Sequence, residues 1–188
     1  VTYQDTIGSV VCNVSAGGTM SSLDCAGRYV PVGSGVKLSA TQDFYAIGEY
    51  DTGSSARNWG FSIIPAASLG VEYFVPWAPG DYNVPPQNNG SPLFVTPTVN
   101  GQVIYVDFSP TNGVVDATYT LDLLQVQKIR DPDNDNTGMR LWSDYPFALT
   151  WGQDAQYSST GNPYIDAGYT IPPPTSRWID IIIDVNKS

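Results

Sequence analysis

The 188-residue chain contains no histidine and few basic residues. Without histidine it cannot build a Ser-His-Asp triad or a histidine–metal site, and it lacks the usual general base near neutral pH. Eight Lys and Arg against 18 Asp and Glu give a formal net charge of −10, whereas phosphate groups are bound by clustered cations. We therefore expect neither an enzyme nor an organic cofactor, and neither nucleic acid nor an anionic membrane as partner.

The sequence also lacks a long apolar run. No stretch approaches the ~20 residues that a membrane-spanning helix needs, so no membrane span is expected. Charged residues make up only 14% of the chain, while glycine (18), proline (15) and tyrosine (12) are plentiful. This balance is typical of extracellular β-rich domains and predicts an extracellular or cell-surface location.

Good helix formers are scarce as well, since Glu49 and Glu72 are the only glutamates. Short β-type runs alternate with turn chemistry from end to end, which predicts an all-β fold of β-sandwich or jelly-roll (Ig-like) type. Asn112-Gly113 predicts a hairpin turn, and the candidate helix at 66–70 is too short to count. The predicted strands are 10–14, 29–38, 44–50, 59–64, 71–75, 93–96, 103–108, 117–121, 124–129 and 147–151.

Two cysteines, Cys12 and Cys25, flank a stretch rich in glycine and serine that has the composition of a hairpin or loop. In an oxidising compartment they should form a disulfide, worth roughly 2–4 kcal/mol. The alternative is a pair of buried free thiols.

The C-terminal end divides the chain into a body (1–171), a Pro-rich hinge (172–177) and a terminal strand (178–188). The strand is predicted because side chains alternate along it. Such a strand either folds back on its own sheet, completes the sheet of a neighbouring subunit as a donor strand, or begins a truncated second domain. Ile179, Ile181, Ile183 and Val185 share one face, and Trp178, Asp180, Ile182 and Asp184 share the other.

An acidic loop is the sharpest local motif. Asp131, Asp133, Asp135 and Thr137 place oxygen-bearing side chains at every second position, as a loop that wraps a calcium ion requires. The loop lacks the bidentate glutamate of an EF-hand, and Asp, Asn and Pro also build ordinary Asx turns. A calcium site and a simple capped turn therefore both remain open.

Exposed aromatic residues raise the possibility of a carbohydrate site, because apolar sugar faces stack on flat rings. Trp77 and Tyr82, in a Pro-rich stretch, are the pair expected to be exposed, although most aromatic residues of a β-sandwich belong to its core. Lys37, Lys128 and Lys187 are conceivable donors for an isopeptide crosslink, and a surface lysine on a strand is the ordinary alternative.

Segments between 43 and 174 resemble a recurrent domain of large bacterial and archaeal surface proteins, the IgGFc-binding protein N-terminal domain. The segments that carry the likeness are 59–65, 72–79, 131–135, 138–148 and 151–154, in which a strand, a glycine-containing turn and an S-D-x-P segment lead into another strand. The resemblance implies an extracellular, non-enzymatic β-rich module of adhesins, surface layers or filaments, with no catalytic residue to transfer.

Together these features predict an extracellular structural or adhesive building block, assembled into a surface filament or surface protein by β-strand complementation. Self-association, or contact with neighbouring domains, is then the main partnership. The alternative is a monomeric, calcium-dependent module that binds carbohydrate or peptide on other cell surfaces.

Overall fold

The computed structural model describes residues 1–14, 23–25, 27–50, 59–78, 92–111, 113–133, 135–152 and 168–174. These residues form β-strands and a single 3₁₀ turn, Ala66–Ser68, so the all-β prediction is confirmed. None of their helices is long and apolar enough to cross a membrane. The strands are β1 (Thr2–Asp5), β2 (Gly8–Val11), β3 (Asn13–Val14), β4 (Leu23–Asp24), β5 (Lys37–Ser39), β6 (Ile47–Tyr50), β7 (Trp59–Ser62), β8 (Gly70–Phe74), β9 (Leu93–Pro97), β10 (Gln102–Asp107), β11 (Ala117–Leu121), β12 (Gln127–Ile129), β13 (Arg140–Gly152) and β14 (Gly168–Thr170).

The main sheet is organised around β13, which has 13 residues and pairs antiparallel with four strands. β10 and β8 flank its first part, and β9 and β14 flank its last part. The register shifts between Trp142 and Phe147, and the residues at 144–146 are exposed. A strand with such an irregularity bends, so β13 contributes to two differently oriented parts of one sheet.

The neighbouring strands are interrupted beside the same bend. Residues 98–101 separate β9 from β10, and residues 122–126 separate β11 from β12. The buried side chain of Gln102 ties the interruption to β13: its Nε2 donates to Ser143 Oγ (3.0 Å) and to the Tyr145 carbonyl (2.8 Å), and its Oε1 accepts from the Thr98 amide (2.9 Å). The bend is therefore held by side chains that are far apart in sequence.

The core lies under both parts of the bent sheet. Strand β9 shows the strict alternation of buried and half-buried positions that a one-sided sheet requires. The largest fully buried side chains, Trp151, Tyr73 and Phe147, belong to one cluster that also includes Ile104 and Leu141. A shared core explains why the bend is stable. Two packed sheets in a sandwich or jelly roll stay a prediction.

The N-terminal residues form a separate three-stranded sheet in the order β2-β1-β5. It docks on the bend of the main sheet, where the Val126 amide donates to the Gly33 carbonyl (2.7 Å) and the Gly35 amide donates to the Leu124 carbonyl (2.7 Å). A Cβ at Gly35 would collide with Thr96, so only glycine permits this approach.

The predicted disulfide between Cys12 and Cys25 is confirmed. Pairing of β3 with β4 places Asn13 opposite Asp24. Cys12 precedes Asn13 and Cys25 follows Asp24, so the two cysteines are the next residues outward along the two strands, and their Cα atoms lie 4.3 Å apart. The hairpin thus brings the sulfur atoms together.

Several predicted element bounds differ from those in the structure. The predicted strand 29–38 is too long, because Pro31 and the positive φ of Gly33 (+73°) interrupt it; Ser34 forms an isolated bridge with Gln125, and the strand itself is Lys37–Ser39. β13 begins at Arg140 and not at residue 147, and β1 had no counterpart among the predicted strands. The expected hairpin at Asn112-Gly113 joins the paired strands β10 and β11; Gly113 has φ +67°, and Asn112 lies outside the described residues.

Candidate functional site

Three strands of the main sheet, β8, β11 and β12, pair with only one other strand within the described residues. β14 also pairs with one strand, but β7 lies against it, and Thr170 Oγ1 donates to the Ser62 carbonyl. An unpaired strand edge presents a row of backbone N–H and C=O groups that can accept another strand. A further strand could therefore bind at the edges of β8, β11 and β12.

The edge of β8 borders a groove. We call β8 (Gly70–Phe74), together with Pro173 and Pro174, the β8 edge. Its groove has a volume of about 370 Å³ and is lined by residues 67–72 and by the two prolines. Two apolar side chains of β8 remain exposed, Val71 at 46% and Phe74 at 48%, whereas Tyr73 between them is fully buried.

The sheet register explains why the two prolines lie here. β14 and β8 pair with the same side of β13, and both run antiparallel to it. After β14 the Ile171 amide still donates to the Leu149 carbonyl (2.9 Å), so the chain continues along β13 towards the start of β8. There Pro173 covers Gly70, where a Cβ would collide with the proline ring. The described part of the chain thus ends beside β8.

The charge in the middle of β8 is compensated. Arg140 donates through Nε to the Glu72 carboxylate (2.7 Å), and its guanidinium lies over the rings of Trp142 (4.6 Å) and Phe74 (5.8 Å). Tyr105 stacks on Trp142 with ring centroids 5.6 Å apart. Because Trp142 is already engaged by Tyr105 and Arg140, it offers little free ring surface to a sugar.

The residues predicted to form the donor strand lie outside the described residues: Trp178, Ile179, Ile181, Ile183 and Val185. Of the hinge, the prolines 172–174 are described and 175–177 are not. Among the candidate crosslinking lysines, Lys37 is in β5, Lys128 is half-buried in β12, and Lys187 lies outside the described residues. The assignment of 178–188 as a strand stays a prediction.

The acidic loop forms consecutive Asx turns. Asp131, Asp133 and Asp135 each accept, through Oδ1, the backbone N–H two residues later, at 3.0, 2.8 and 3.0 Å. Thr137 Oγ1 accepts the Ala78 amide (2.9 Å), which ties the loop to the end of β8. Burial, followed by the neighbouring carboxylates Asp133 and Asp135, raises the pKa of Asp131.

Within the described part of the chain, no group of three or more Asp, Glu, Cys or His side chains is arranged to hold a metal ion. The turns that the pattern offered as the alternative to a calcium site are present. Calcium binding by Asp131, Asp133, Asp135 and Thr137 stays a prediction.

An aromatic cluster lies next to this loop. Trp77 is 57% exposed and meets the buried ring of Trp151 edge-on at 5.4 Å. Tyr169 also packs against Trp151, with ring centroids 5.5 Å apart, and donates its hydroxyl to the Trp77 carbonyl. The Trp151 Nε1–H is buried and finds no hydrogen-bond partner among the described residues. Tyr82, the expected companion of Trp77, lies outside the described residues.

Sequence reasoning missed the residues that make the β8 edge distinctive, namely Val71, Phe74 and Arg140. One signal was present in the sequence, since Val71 to Val75 is apolar on both faces except at Glu72. Such a strand is expected either in the interior of a sheet or at an edge against which another segment packs. Comparisons with protein-family models, curated proteins and solved structures find no match to this chain.

Proposed function

We propose that the chain is an extracellular structural or adhesive building block, a subunit or module of a surface filament or surface protein, assembled by β-strand complementation. One observation carries the proposal: among the described residues β8 pairs on one side only and exposes apolar side chains at that edge, and the sequence after Pro174 contains an alternating apolar segment. An edge that can accept a strand and a segment predicted to form a strand are complementary.

The physical driving force has two parts. An added strand satisfies the backbone groups of the edge, and it buries the isoleucine face of residues 179–185. Each fully buried isoleucine contributes about 1.5–3 kcal/mol. When the strand of one copy enters the edge of the next, the contact joins different surfaces and does not close, so it generates a fibre.

The extracellular location is supported by the disulfide between Cys12 and Cys25, because disulfides persist in oxidising compartments. The acidic, charge-poor composition and the resemblance to the IgGFc-binding protein N-terminal domain favour the same location. On this proposal the chain performs no chemistry, and its activity is assembly.

The test compares the full chain with two single variants on opposite faces of the terminal strand. Ile181→Asp places a charge on the face that should be buried, and Ile182→Asp places the same charge on the other face. Electron microscopy and light scattering should show fibres or oligomers for the wild type and for Ile182→Asp, and loss of assembly for Ile181→Asp. Monodisperse 20.3 kDa particles for the wild type at every concentration would refute the proposal.

A second candidate function, a monomeric module that binds carbohydrate or peptide with calcium, is favoured by the exposure of Trp77 beside the acidic loop. It predicts glycan or peptide binding that chelation abolishes. Trp77→Ala should remove this binding, whereas Tyr145→Ala, which also truncates an exposed aromatic side chain, should leave it intact. Array binding by both variants alike would exclude Trp77 as the ligand platform.

A further inference from the structure

We infer that the β8 edge, and not the edge of β11 or β12, accepts the terminal strand, and that the occupant is residues 178–185 of a second copy running antiparallel to β8. This inference rests on the proposed function, which leaves the acceptor edge and the strand direction open. Position, direction and charge each support it.

The position of Pro173 and Pro174 supports the β8 edge. Pro173 and Pro174 line the groove beside Gly70, and fourteen residues follow Pro174. Three of these residues (175–177) precede the predicted strand, and at ~3.4 Å per residue the eight residues 178–185 span roughly 27 Å. The strand is therefore long enough to cover all five residues of β8.

The direction of the chain supports a second copy. The chain leaves β14 in the direction in which β8 runs, because both strands are antiparallel to β13. A strand that continued along β8 in the same molecule would be parallel to it. Every strand pair in the described residues is antiparallel, and antiparallel pairing is slightly more stable per residue.

The same molecule cannot easily reverse the direction of its strand. To enter antiparallel to β8, the chain would first have to reach the Phe74 end and then turn. Fully extended, the linker 175–177 reaches roughly 14 Å, which is about the length of β8, so the turn would have to be made by residues of the predicted strand itself. A strand supplied by another copy has no such constraint.

The side chains of the β8 edge fit the donor. Val71 offers an exposed apolar surface on the inward face, next to the isoleucine face of the donor. On the outward face Glu72 is already paired with Arg140, so the edge carries no uncompensated charge to repel a strand. Arg140 lies on the outward face of the sheet, the same face on which Asp180 and Asp184 of the donor strand would lie, so their charges would be complementary.

The other two edges fit less well. β11 exposes Thr118 and Thr120 and is flanked by Asp116 and Asp122, which would repel the aspartates of the donor. β12 has only three residues, and its central residue is Lys128. Short edge strands and edge lysines both disfavour pairing with another strand. Of these three edges of the main sheet, β8 is therefore the one at which charge complementarity and apolar surface coincide.

Cysteine crosslinking between separately purified chains tests the inference. One chain carries Val71→Cys, and the other carries Ile181→Cys or Ile183→Cys, with the native disulfide intact in both. After mild oxidation the mixture should give a covalent dimer, several-fold more than Val71→Cys mixed with Ile182→Cys, whose thiol points to the opposite face. Thr118→Cys, on the outward face of β11, serves as the acceptor control when it is mixed with Ile182→Cys, whose side chain would also face outward.

Each outcome has a separate meaning. Crosslinks between Thr118→Cys and Ile182→Cys, without crosslinks from Val71→Cys to Ile181→Cys or Ile183→Cys, would overturn the assignment of the edge and leave strand complementation standing. An intramolecular crosslink in the double variant Val71→Cys/Ile181→Cys, without product between chains, would overturn the second copy as occupant. No crosslink with a monomeric wild type would refute both the inference and the proposed function.

A second measurement covers the case in which a variant folds poorly. Alkylation of Val71→Cys is followed with and without a synthetic peptide of residues 175–188. The peptide should slow labelling of Val71→Cys several-fold and leave labelling of Thr118→Cys unchanged. Equal labelling rates with and without peptide at Val71→Cys would contradict the inference.

Discussion

The buried glutamine at the bend of the main sheet, Gln102, gives the sharpest prediction about the fold. Its side-chain amide hydrogen-bonds to Thr98, in the segment between β9 and β10, and to Ser143 and Tyr145 of β13. Substitution by leucine removes all of these hydrogen bonds. One or two of the abandoned groups remain buried, and each unpaired buried group costs about 1–3 kcal/mol. We therefore expect Gln102→Leu to lower the free energy of unfolding by about 2–4 kcal/mol.

The matched control is Gln125→Leu. Gln125 is exposed, and its Oε1 accepts a single hydrogen bond from the Asp122 amide, so its loss should cost about 0.5 kcal/mol or less. Urea unfolding followed by tryptophan fluorescence measures both variants. Equal destabilisation of the two variants would refute the role assigned to Gln102.

Gln102→Glu adds a pH signature to the same site. A glutamate here must be protonated to donate to the Tyr145 carbonyl, so burial and this carbonyl should raise its pKa in the folded state. A carboxyl group with a raised folded-state pKa destabilises the protein as pH rises above its unfolded pKa of about 4.3. The variant should therefore approach wild-type stability near pH 4 and fall behind towards pH 7. A stability difference that does not change with pH would contradict this reasoning.

Three further predictions concern other parts of the chain. Reduction of the Cys12–Cys25 disulfide, which closes a loop of 13 residues in sequence separation, should lower stability by about 3 kcal/mol and the unfolding temperature by roughly 6–12 °C in a thermal scan. The Arg28 guanidinium holds the pKa of Asp5 well below its ordinary value, so the pair stabilises the fold above pH ~4 and loses this effect as pH falls through the folded-state pKa. Asp5→Asn should accordingly lower the unfolding temperature at neutral pH, with a difference from wild type that shrinks in acid; a constant difference would refute the assignment. If the acidic loop binds calcium, millimolar calcium should raise the unfolding temperature of the wild type and not that of Asp131→Asn, and identical thermal scans in calcium and chelator would argue for the simple turn.

The sequence predicted the features that depend on local chemistry. The scarcity of good helix formers predicted an all-β chain. The stretch rich in glycine and serine between Cys12 and Cys25 predicted the disulfide. The alternating aspartates predicted a capped turn as one of two possibilities, and the turn is what their backbone hydrogen bonds form.

The bend and the open edge could not be predicted in this way, because they depend on which strands become neighbours. Gln102 and Ser143 are 41 residues apart, and nothing local indicates that they meet. The residues at 144–146 in β13 look like a break in a strand, so only its second part was predicted. Whether β8 is interior or at an edge is likewise decided by its partners and not by its own five residues.

The bend also determines where Pro173 and Pro174, which precede the predicted terminal strand, lie relative to β8. β8 and β14 lie on the same side of β13, one before the bend and one after it, so the bend sets how Pro173 meets Gly70. If the bend relaxed, the two prolines would shift relative to β8, and the groove between them would change shape. Gln102 holds the bend through buried hydrogen bonds that water cannot replace without exposing the core. A polar network inside the sheet therefore has a consequence at the surface, because it fixes the geometry of the edge that would receive the next subunit.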